Sequence, residues 1–405
     1  MTIHLANDGK LPALAAIILF SLVPGAGGFS SEAVNFTTQV GLAPQGTSNS
    51  VFSVVDLFAN FDRYGVRVIT GGRGGSNVSV TVMEKDASNQ VINKHILSGE
   101  MAQLPDRLNV YTANVTGRSV SVIDKSTQSV LAESIIVGNI PAEIAITPDG
   151  RRAYVTVSGD NKVVVLNTST NAILSTITTG IFNPQGIAVT PDGLLVYVVN
   201  FGTPSSIAVI STFSNTVVAL FAIGNLAVGT AITPDGMRIY AANSGSNTVS
   251  VINRATNTVI ATIPVGAEPQ NIVFTPDGKN AYVTNLASNT ISTISTTSLS
   301  VVGTLFTAAS PNGIAITPDG SRLLVANQDA GVVTVISTSN GISVGTIPVP
   351  SPIRIAVTPD GKLAYITNVN DNLITVVSLL NNSIIARIPT GLVHRGVAIT
   401  PILLA

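Results

Sequence analysis

The chain has 405 residues, more than one typical domain, and charged residues make up only 10 % of it, well below the usual share of about a quarter. Its formal net charge of −1 and its 5 % of aromatic residues offer neither the positive charge nor the stacking surface that nucleic-acid binding requires. The chain has no cysteine, and this excludes disulfides, a thiol nucleophile and a metal site with cysteine ligands.

Residues 1–28 have the pattern of a secretory signal peptide. Lys10 precedes an apolar run from Leu11 to Val23, and the small residues 25–28 follow it. The run is shorter than the roughly 20 apolar residues of a membrane span, and no later segment has the pattern of a transmembrane helix. We therefore predict an exported protein that is periplasmic, secreted or at the cell surface. The alternatives are an uncleaved anchor and a buried element of the next domain.

Residues 29–105 do not share the repeat that follows them. Segments 79–83 and 91–96 alternate in polarity around the polar turn 86–89, which predicts a hairpin. Segments 51–58 and 65–70 are candidates for two more strands. We predict a small β-rich domain over 29–105, and the alternative is an elaborated cap on the repeats.

A repeat fills residues 106–405. Its most regular mark is a Thr-Pro pair that recurs every 41 to 43 residues, a period typical of propeller blades. The threonines of these pairs are Thr147, Thr190, Thr233, Thr275, Thr317, Thr358 and Thr400. Each repeat has four segments rich in Val, Ile, Thr and Tyr, which indicates four strands. The sequence Thr-Pro-Asp-Gly between the first two segments predicts a tight turn, since Pro sets φ, Asp bonds nearby backbone and Gly accepts positive φ.

The ends of the repeat region predict a closed ring. The first repeat begins at its second strand, and the chain ends with a first strand that has no partner in its own repeat. We predict that 396–400 pairs antiparallel with 109–114 and closes an all-β, seven-bladed propeller of four-stranded blades. The blade boundaries are expected at about 141, 184, 227, 269, 311, 352 and 394.

The segments Tyr282-Val283-Thr284-Asn285 and Tyr365-Ile366-Thr367-Asn368, each after a Thr-Pro-Asp-Gly turn, resemble the YVTN family of β-propeller repeat proteins. That family includes bacterial exported propellers and archaeal surface-layer proteins, and the resemblance covers about 109–400. It implies the propeller fold but little about function, because similar propellers serve as scaffolds, binding modules and enzymes. The sequence departs from the pattern at Val157, in place of Asn, and at Leu324, in place of Tyr.

In a propeller the first strands line the central channel, so the residues that enter them ring its mouth. These residues lie four and five places before each Thr-Pro, and their polar members predict a ligand site. They are Glu143, Gln185, Gln270, Asn271, Asn312, Arg354 and Arg395, with His394 one place earlier. Two arginines on adjacent blades suit an anionic group. The alternative is a set of solvated side chains with a local ion pair.

Two further sets of repeated polar residues are interpreted as structural. The aspartates of the Thr-Pro-Asp-Gly turns are expected on the opposite face, where each caps its own turn. The asparagines that end the second strands are expected to bond loop backbone. The three histidines, His4, His95 and His394, include no close pair, so we expect no metal and no cofactor.

No acid–base–nucleophile set stands out in the sequence. We therefore expect a non-catalytic, monomeric, exported propeller that acts as a binding or scaffold module. Its expected partner is a protein, peptide or glycan at the channel-mouth face. The alternative is an enzyme of the lactonase or cycloisomerase kind, which some similar seven-bladed propellers are, with Glu143, His394, Arg354 and Arg395 as its candidate residues.

Overall fold

The computed structural model describes residues 109–391 and 393–401, without the side chains of residues 132 and 133. Within the first 108 residues it describes only the backbone of strands, and these form two four-stranded sheets. One sheet has the order Val51–Val54, Thr2–Asn7, Val78–Lys85 and Val91–Leu97, and the other has the order Gly28–Leu42, Ala13–Gly25, Tyr64–Gly71 and Ala102–Gln103.

Strands Val78–Lys85 and Val91–Leu97 pair antiparallel at the position of the expected hairpin. Only strand backbone is described in these segments, which does not test the expected signal peptide over 1–28 or the β-rich domain over 29–105, and both stay predictions. In the described part of the chain, no helix has the length and apolar character needed to cross a membrane.

Residues 109–399 form seven antiparallel sheets of four strands each, the blades of a propeller. The first, innermost strands of blades 2 to 7 and of blade 1 are, in that order, Pro141–Ile146, Pro184–Val189, Ala227–Ile232, Pro269–Phe274, Pro311–Ile316, Pro352–Val357 and His394–Ile399. These first residues coincide with the predicted blade boundaries, because the turn motif fixes the phase of every repeat.

The other three strands of each blade follow in sequence order, from blade 1 to blade 7. The second strands are Asn109–Asn114, Arg152–Val157, Leu195–Asn200, Arg238–Asn243, Asn280–Asn285, Arg322–Asn327 and Leu363–Asn368. The third strands are Ser119–Asp124, Lys162–Asn167, Ser206–Ser211, Thr248–Asn253, Thr290–Ser295, Val332–Ser337 and Leu373–Ser378. The outer strands are Ser129–Ile136, Ile173–Ile177, Thr216–Ala222, Thr258–Pro264, Ser300–Phe306, Ser343–Pro348 and Ser383–Pro389.

The ring closes as predicted. The strand His394–Ile399 pairs antiparallel with Asn109–Asn114, so blade 1 combines the beginning and the end of the repeat region. Beyond this strand, Thr400 N donates to Asn109 O at 2.9 Å, and Asn109 N donates to Thr400 Oγ1 at 2.9 Å. A strand that would otherwise be a free edge is therefore paired.

The core lies between successive blades, whose middle strands are buried on both faces. The tyrosine of the second strand lies in this core, for example Tyr154, which packs with Ile187 and Val196 of blade 3. The hydroxyl of Tyr154 donates to Asn215 Oδ1 at 2.7 Å, and Asn215 belongs to the outer turn of the next blade. A buried hydroxyl needs such a partner, so this bond links the two blades.

The Thr-Pro-Asp-Gly turns have the predicted chemistry. In blade 6, Asp319 Oδ1 accepts hydrogen bonds from Thr317 Oγ1 at 2.5 Å and from the Ser321 amide at 3.0 Å. Gly320 follows with a φ of 72°, which is in the left-handed region that favours glycine. The aspartate therefore caps its own turn.

The asparagines at the ends of the second strands are structural. Asn200 bonds loop backbone as expected, since its Nδ2 donates to Gly180 O at 2.9 Å and its Oδ1 accepts from the Phe182 amide at 3.0 Å. In blades 1, 4 and 5 the partners are side-chain hydroxyls instead. Asn285 Nδ2 donates to Thr290 Oγ1 at 3.1 Å and to Ser292 Oγ at 2.9 Å. Both hydroxyls belong to the neighbouring third strand. The reason is that the amide points sideways along the sheet, where the third strand places a hydroxyl on the same face.

Candidate functional site

Two rings of residues surround the mouth of the central channel, because each inner strand begins at the same level. The second residues of the inner strands form the mouth ring, which consists of Ala142, Gln185, Val228, Gln270, Asn312, Ile353 and Arg395. The third residues form the throat ring, which consists of Glu143, Gly186, Gly229, Asn271, Gly313, Arg354 and Gly396. Most of the predicted site residues thus occupy two equivalent positions of the repeat.

Four glycines leave the throat ring with few side chains. A Cβ atom on Gly186 would lie 2.4 Å from Val228 O, and one on Gly229 would lie 2.2 Å from Gln270 O. A Cβ atom on Gly396 would lie 2.6 Å from Glu143 Cα. Neighbouring inner strands therefore approach too closely for any larger residue at these positions, and only Glu143, Asn271 and Arg354 carry side chains in this ring.

An ion pair joins two of these throat side chains. Arg354 Nε donates to Glu143 Oε1, and Arg354 Nη1 donates to Asn312 Oδ1 of the mouth ring. The two charged side chains are only 17 % and 20 % exposed, for Arg354 and Glu143 respectively. They come from blades 7 and 2, and Gly396 of blade 1 lies between them in the ring. Each charge thus neutralises the other, and Arg354 is not a free cation.

Arg395 is the second cation of the mouth. It is half-buried, and its Nη1 donates to Gln185 Oε1 at 3.4 Å. Among the described residues it forms no ion pair with a carboxylate. Burial, and then the neighbouring charge of Arg354, lower the pKa of Arg395, while Glu143 opposes this shift. An arginine stays protonated even so, and the mouth therefore holds one uncompensated positive charge.

A cavity of about 310 Å³ opens at this mouth. It is lined by Ala142, Glu143, Asn183, Gln185, Phe201, Val228, Gln270, Asn312, Ile353, Arg354 and Arg395. A smaller cavity of about 50 Å³ is lined by Glu143, Gly186, Ile187, Val228, Gly229, Thr230, Asn271 and Arg354. Because Glu143 and Arg354 line both cavities, their ion pair lies where the two spaces meet.

Four side-chain amides supply most of the neutral polar groups of the mouth cavity. Gln185 Nε2 donates to Asn183 Oδ1 at 3.0 Å, and Gln270 Nε2 donates to Glu268 O at 3.2 Å. Asn312 bonds to Arg354 and, through Nδ2, to Gln328 Oε1 at 3.1 Å. Within the described part of the chain, no partner bonds to Gln270 Oε1 or Asn183 Nδ2. The wall therefore offers a free acceptor and a free donor to a ligand.

Six of the eight predicted site residues line the mouth cavity: Glu143, Gln185, Gln270, Asn312, Arg354 and Arg395. Asn271 lines the smaller cavity instead. His394 lines neither of the two. It is fully buried, and its Nε2 is hydrogen-bonded to Thr390 Oγ1.

The position of His394 follows from strand geometry. It is the first residue of the closing strand, where it pairs with Asn114, and an irregularity in the pairing separates this pair from the next one, Val397 with Thr112. Burial lowers the pKa of His394, against the opposing effects of Asn368 and Asp371. A buried, neutral imidazole in this place serves packing between strands.

Two residues of the mouth cavity, Asn183 and Phe201, lie outside the ring positions predicted from the sequence. Phe201 directly follows the second strand of blade 3, and Asn183 directly precedes the first strand of that blade. The two loops meet where Phe201 N donates to Asn183 O at 3.2 Å. The sequence does single out Phe201, because the residue after the second strand is not aromatic in any other blade.

Similarity to known proteins supports the fold. Residues 207–327 match the sequence family described as YNCE-like beta-propeller. A functionally unknown protein from Desulfotomaculum acetoxidans has a similar structure, with a TM-score of 0.65, 22 % identity and coverage of 73 % of this chain and 99 % of that one. The periplasmic gluconolactonase PpgL of Pseudomonas aeruginosa has a TM-score of 0.63 and 17 % identity, and the coverage is 73 % and 100 %.

Hydrazine synthase of Kuenenia stuttgartiensis is also similar, with a TM-score of 0.57, 22 % identity and coverage of 63 % of this chain and 88 % of that one. No curated protein sequence matches the chain. At these identities the structural likeness shows the fold alone. The chain is therefore a seven-bladed β-propeller whose residues 207–327 are similar to the YNCE-like β-propellers.

Proposed function

We propose that the chain is a non-catalytic, exported β-propeller that binds a small ligand, or the end of a larger one, through a carboxylate at the channel mouth. The observation that carries this proposal is Arg395. It is a half-buried cation with no carboxylate partner among the described residues, and it lines a cavity whose other two charges neutralise each other.

The charge and size of the cavity support a carboxylate ligand. Glu143 and Arg354 cancel, so the wall carries one net positive charge, which one carboxylate neutralises. A guanidinium binds a carboxylate through two parallel hydrogen bonds, and partial removal from water strengthens them. A cavity of about 310 Å³ is at the lower end of the range for small-molecule sites. It suits a single small ligand or the terminal unit of a glycan or peptide.

The same contacts favour binding over catalysis. A general base must reach the substrate with a free lone pair. The ion pair with Arg354 engages Oε1 of Glu143 and restrains the carboxylate, which leaves Oε2 as its one candidate base atom. The other candidate base, His394, does not line the cavity. Lactone hydrolysis is the alternative, since a protein of the same fold is a periplasmic gluconolactonase. That protein's location, together with the signal-like start of this chain, supports export.

Isothermal titration of the full chain with small monocarboxylates tests the proposal. We expect Arg395→Gln to weaken binding by about 10- to 100-fold, the usual effect of losing a hydrogen bond to a charged group in a partly buried site. Arg387→Gln is the matched control, because Arg387 is exposed on the outer strand of blade 7. Carboxylate binding that survives Arg395→Gln would contradict the site. Turnover of a lactone that Glu143→Gln abolishes would contradict the non-catalytic assignment.

A further inference from the structure

We infer, on the basis of the proposed carboxylate site, that the ligand is a hexuronate-type sugar. Its carboxylate binds Arg395 and its pyranose ring packs against Phe201. The inference rests on one juxtaposition: a single cavity holds one free cation, a wall of side-chain amides and one aromatic ring.

The amides require a ligand with hydroxyl groups. Gln270 Oε1 is an acceptor and Asn183 Nδ2 is a donor, and neither has a partner among the described residues. A simple aliphatic carboxylate would cover these groups and leave them without hydrogen bonds, which costs free energy. A hydroxyl group both donates and accepts, so a polyhydroxylated ligand satisfies both kinds of group.

The aromatic ring requires a ligand with an apolar face. Phe201 lies on the blade 3 side of the cavity, beside Asn183. Gln185 contacts both Asn183 and Arg395, so one side chain connects the aromatic part of the wall with the cation. A pyranose ring has C–H groups on its face and hydroxyl groups around its rim. It can pack its face on an aromatic ring while its rim bonds to amides.

The charge of the cavity selects a uronate over a sugar phosphate. A phosphate group carries up to two negative charges near neutral pH, whereas the cavity has one uncompensated positive charge. The second charge of a phosphate would face Glu143 or remain unpaired in a half-buried space. A sugar with one carboxylate neutralises the single positive charge of the cavity wall and adds no unpaired negative charge.

Titration of the full chain with glucuronate, galacturonate, glucose and acetate tests the inference. We expect a uronate to bind at least 10-fold more tightly than glucose and acetate. Phe201→Leu should weaken uronate binding at least 10-fold and weaken acetate binding much less, because acetate has no ring to pack on Phe201. Phe182→Leu is the control, because Phe182 is an exposed aromatic residue of the adjacent loop that does not line the cavity. Gln270→Met, which removes the free acceptor, should also weaken uronate binding selectively.

The outcomes separate this inference from the carboxylate site on which it rests. Acetate, or a dipeptide with a free carboxyl terminus, that binds as tightly as the uronates would overturn the sugar assignment. Equal uronate affinity in the chain and in a folded Phe201→Leu variant would also overturn it. In both cases, sensitivity to Arg395→Gln would keep the carboxylate site. Loss of that sensitivity would overturn both proposals.

Discussion

At the scale of single residues, the repeated tyrosine determines how well neighbouring blades are joined. Tyr154 reaches Asn215 of the next blade, and Asn215 is held in its turn with a φ of 54°. The hydroxyl of Tyr365 is buried and, among the described residues, has no partner. In the part of the chain that the structure describes, Asn382 Oδ1 also has no hydrogen-bond donor, because Leu324 occupies the position of the tyrosine in the preceding blade. The blade junctions are thus chemically unequal.

This inequality predicts opposite outcomes for the same substitution. Tyr154→Phe removes a made hydrogen bond and leaves Asn215 Oδ1 without it, so we expect a loss of about 1 kcal/mol in the free energy of unfolding. Tyr365→Phe removes a buried hydroxyl that makes no bond, and we expect no loss or a small gain. Chemical denaturation of the two variants measures both effects, and equal losses would contradict the assigned contacts.

At the scale of elements, the Thr-Pro-Asp-Gly turn connects the first two strands of a blade. In blade 7 it also links two blades. Asp360 accepts hydrogen bonds from Thr358 Oγ1 at 2.5 Å and from the Lys362 amide at 3.0 Å. Lys125 of blade 1 donates to the other oxygen of Asp360 at 2.8 Å. Burial opposes the ionisation of Asp360, but these donors outweigh it and lower its pKa to about 2.

The low pKa of Asp360 predicts a pH-dependent contribution to stability. The ordinary pKa of an aspartate is 3.8, so above about pH 4 the carboxylate is ionised in the folded and in the unfolded state. The low pKa in the folded state then contributes its full stabilisation of about 2 kcal/mol. As the pH falls towards 2, the unfolded state takes up the proton first and the contribution is lost. We therefore expect Asp360→Asn to lower the melting temperature at pH 6 but to match the parent near pH 2.

The matched control for this prediction is Asp277→Asn. Asp277 caps the same kind of turn, but its side chain is 54 % exposed and its partner Lys279 is 77 % exposed. A solvated pair of this kind contributes little to stability. A pH profile for Asp360→Asn that runs parallel to the profile of the parent would show that the charge of Asp360 is not involved.

The blades and the mouth ring were predictable from the sequence because one turn motif sets the phase of every repeat. Counting back from Thr147 or Thr358 gives Glu143 and Arg354 without any knowledge of the structure. The sequence offered a local ion pair at the mouth as the alternative to a ligand site, but it did not assign that pair to Glu143 and Arg354, because their contact crosses blade 1 and depends on the diameter of the closed ring. Phe201 was missed for a similar reason, since its loop reaches the mouth only through the packing of blade 3.

At the scale of the whole molecule, the closing strand also carries the cation of the proposed carboxylate site. Arg395 lies on His394–Ile399, whose Val397 and Ile399 pack with the core cluster that contains Val110 and Tyr365. Its backbone is held from blade 7, where Thr367 Oγ1 donates to Arg395 O at 2.8 Å. Closure of the ring and the proposed carboxylate site therefore depend on the same six residues.

Removal of residues 394–405 tests that dependence. The deletion leaves Asn109–Asn114 with one free edge and removes the apolar contacts of Val397 and Ile399. These contacts contribute several kcal/mol, so we expect the melting temperature to fall by about 10 °C or more, with a broader transition. A chain that ends at Pro401 is the control, because it keeps the closing strand and the bonds between Thr400 and Asn109. A deletion variant that melts like this control would show that the ring does not depend on its closing strand.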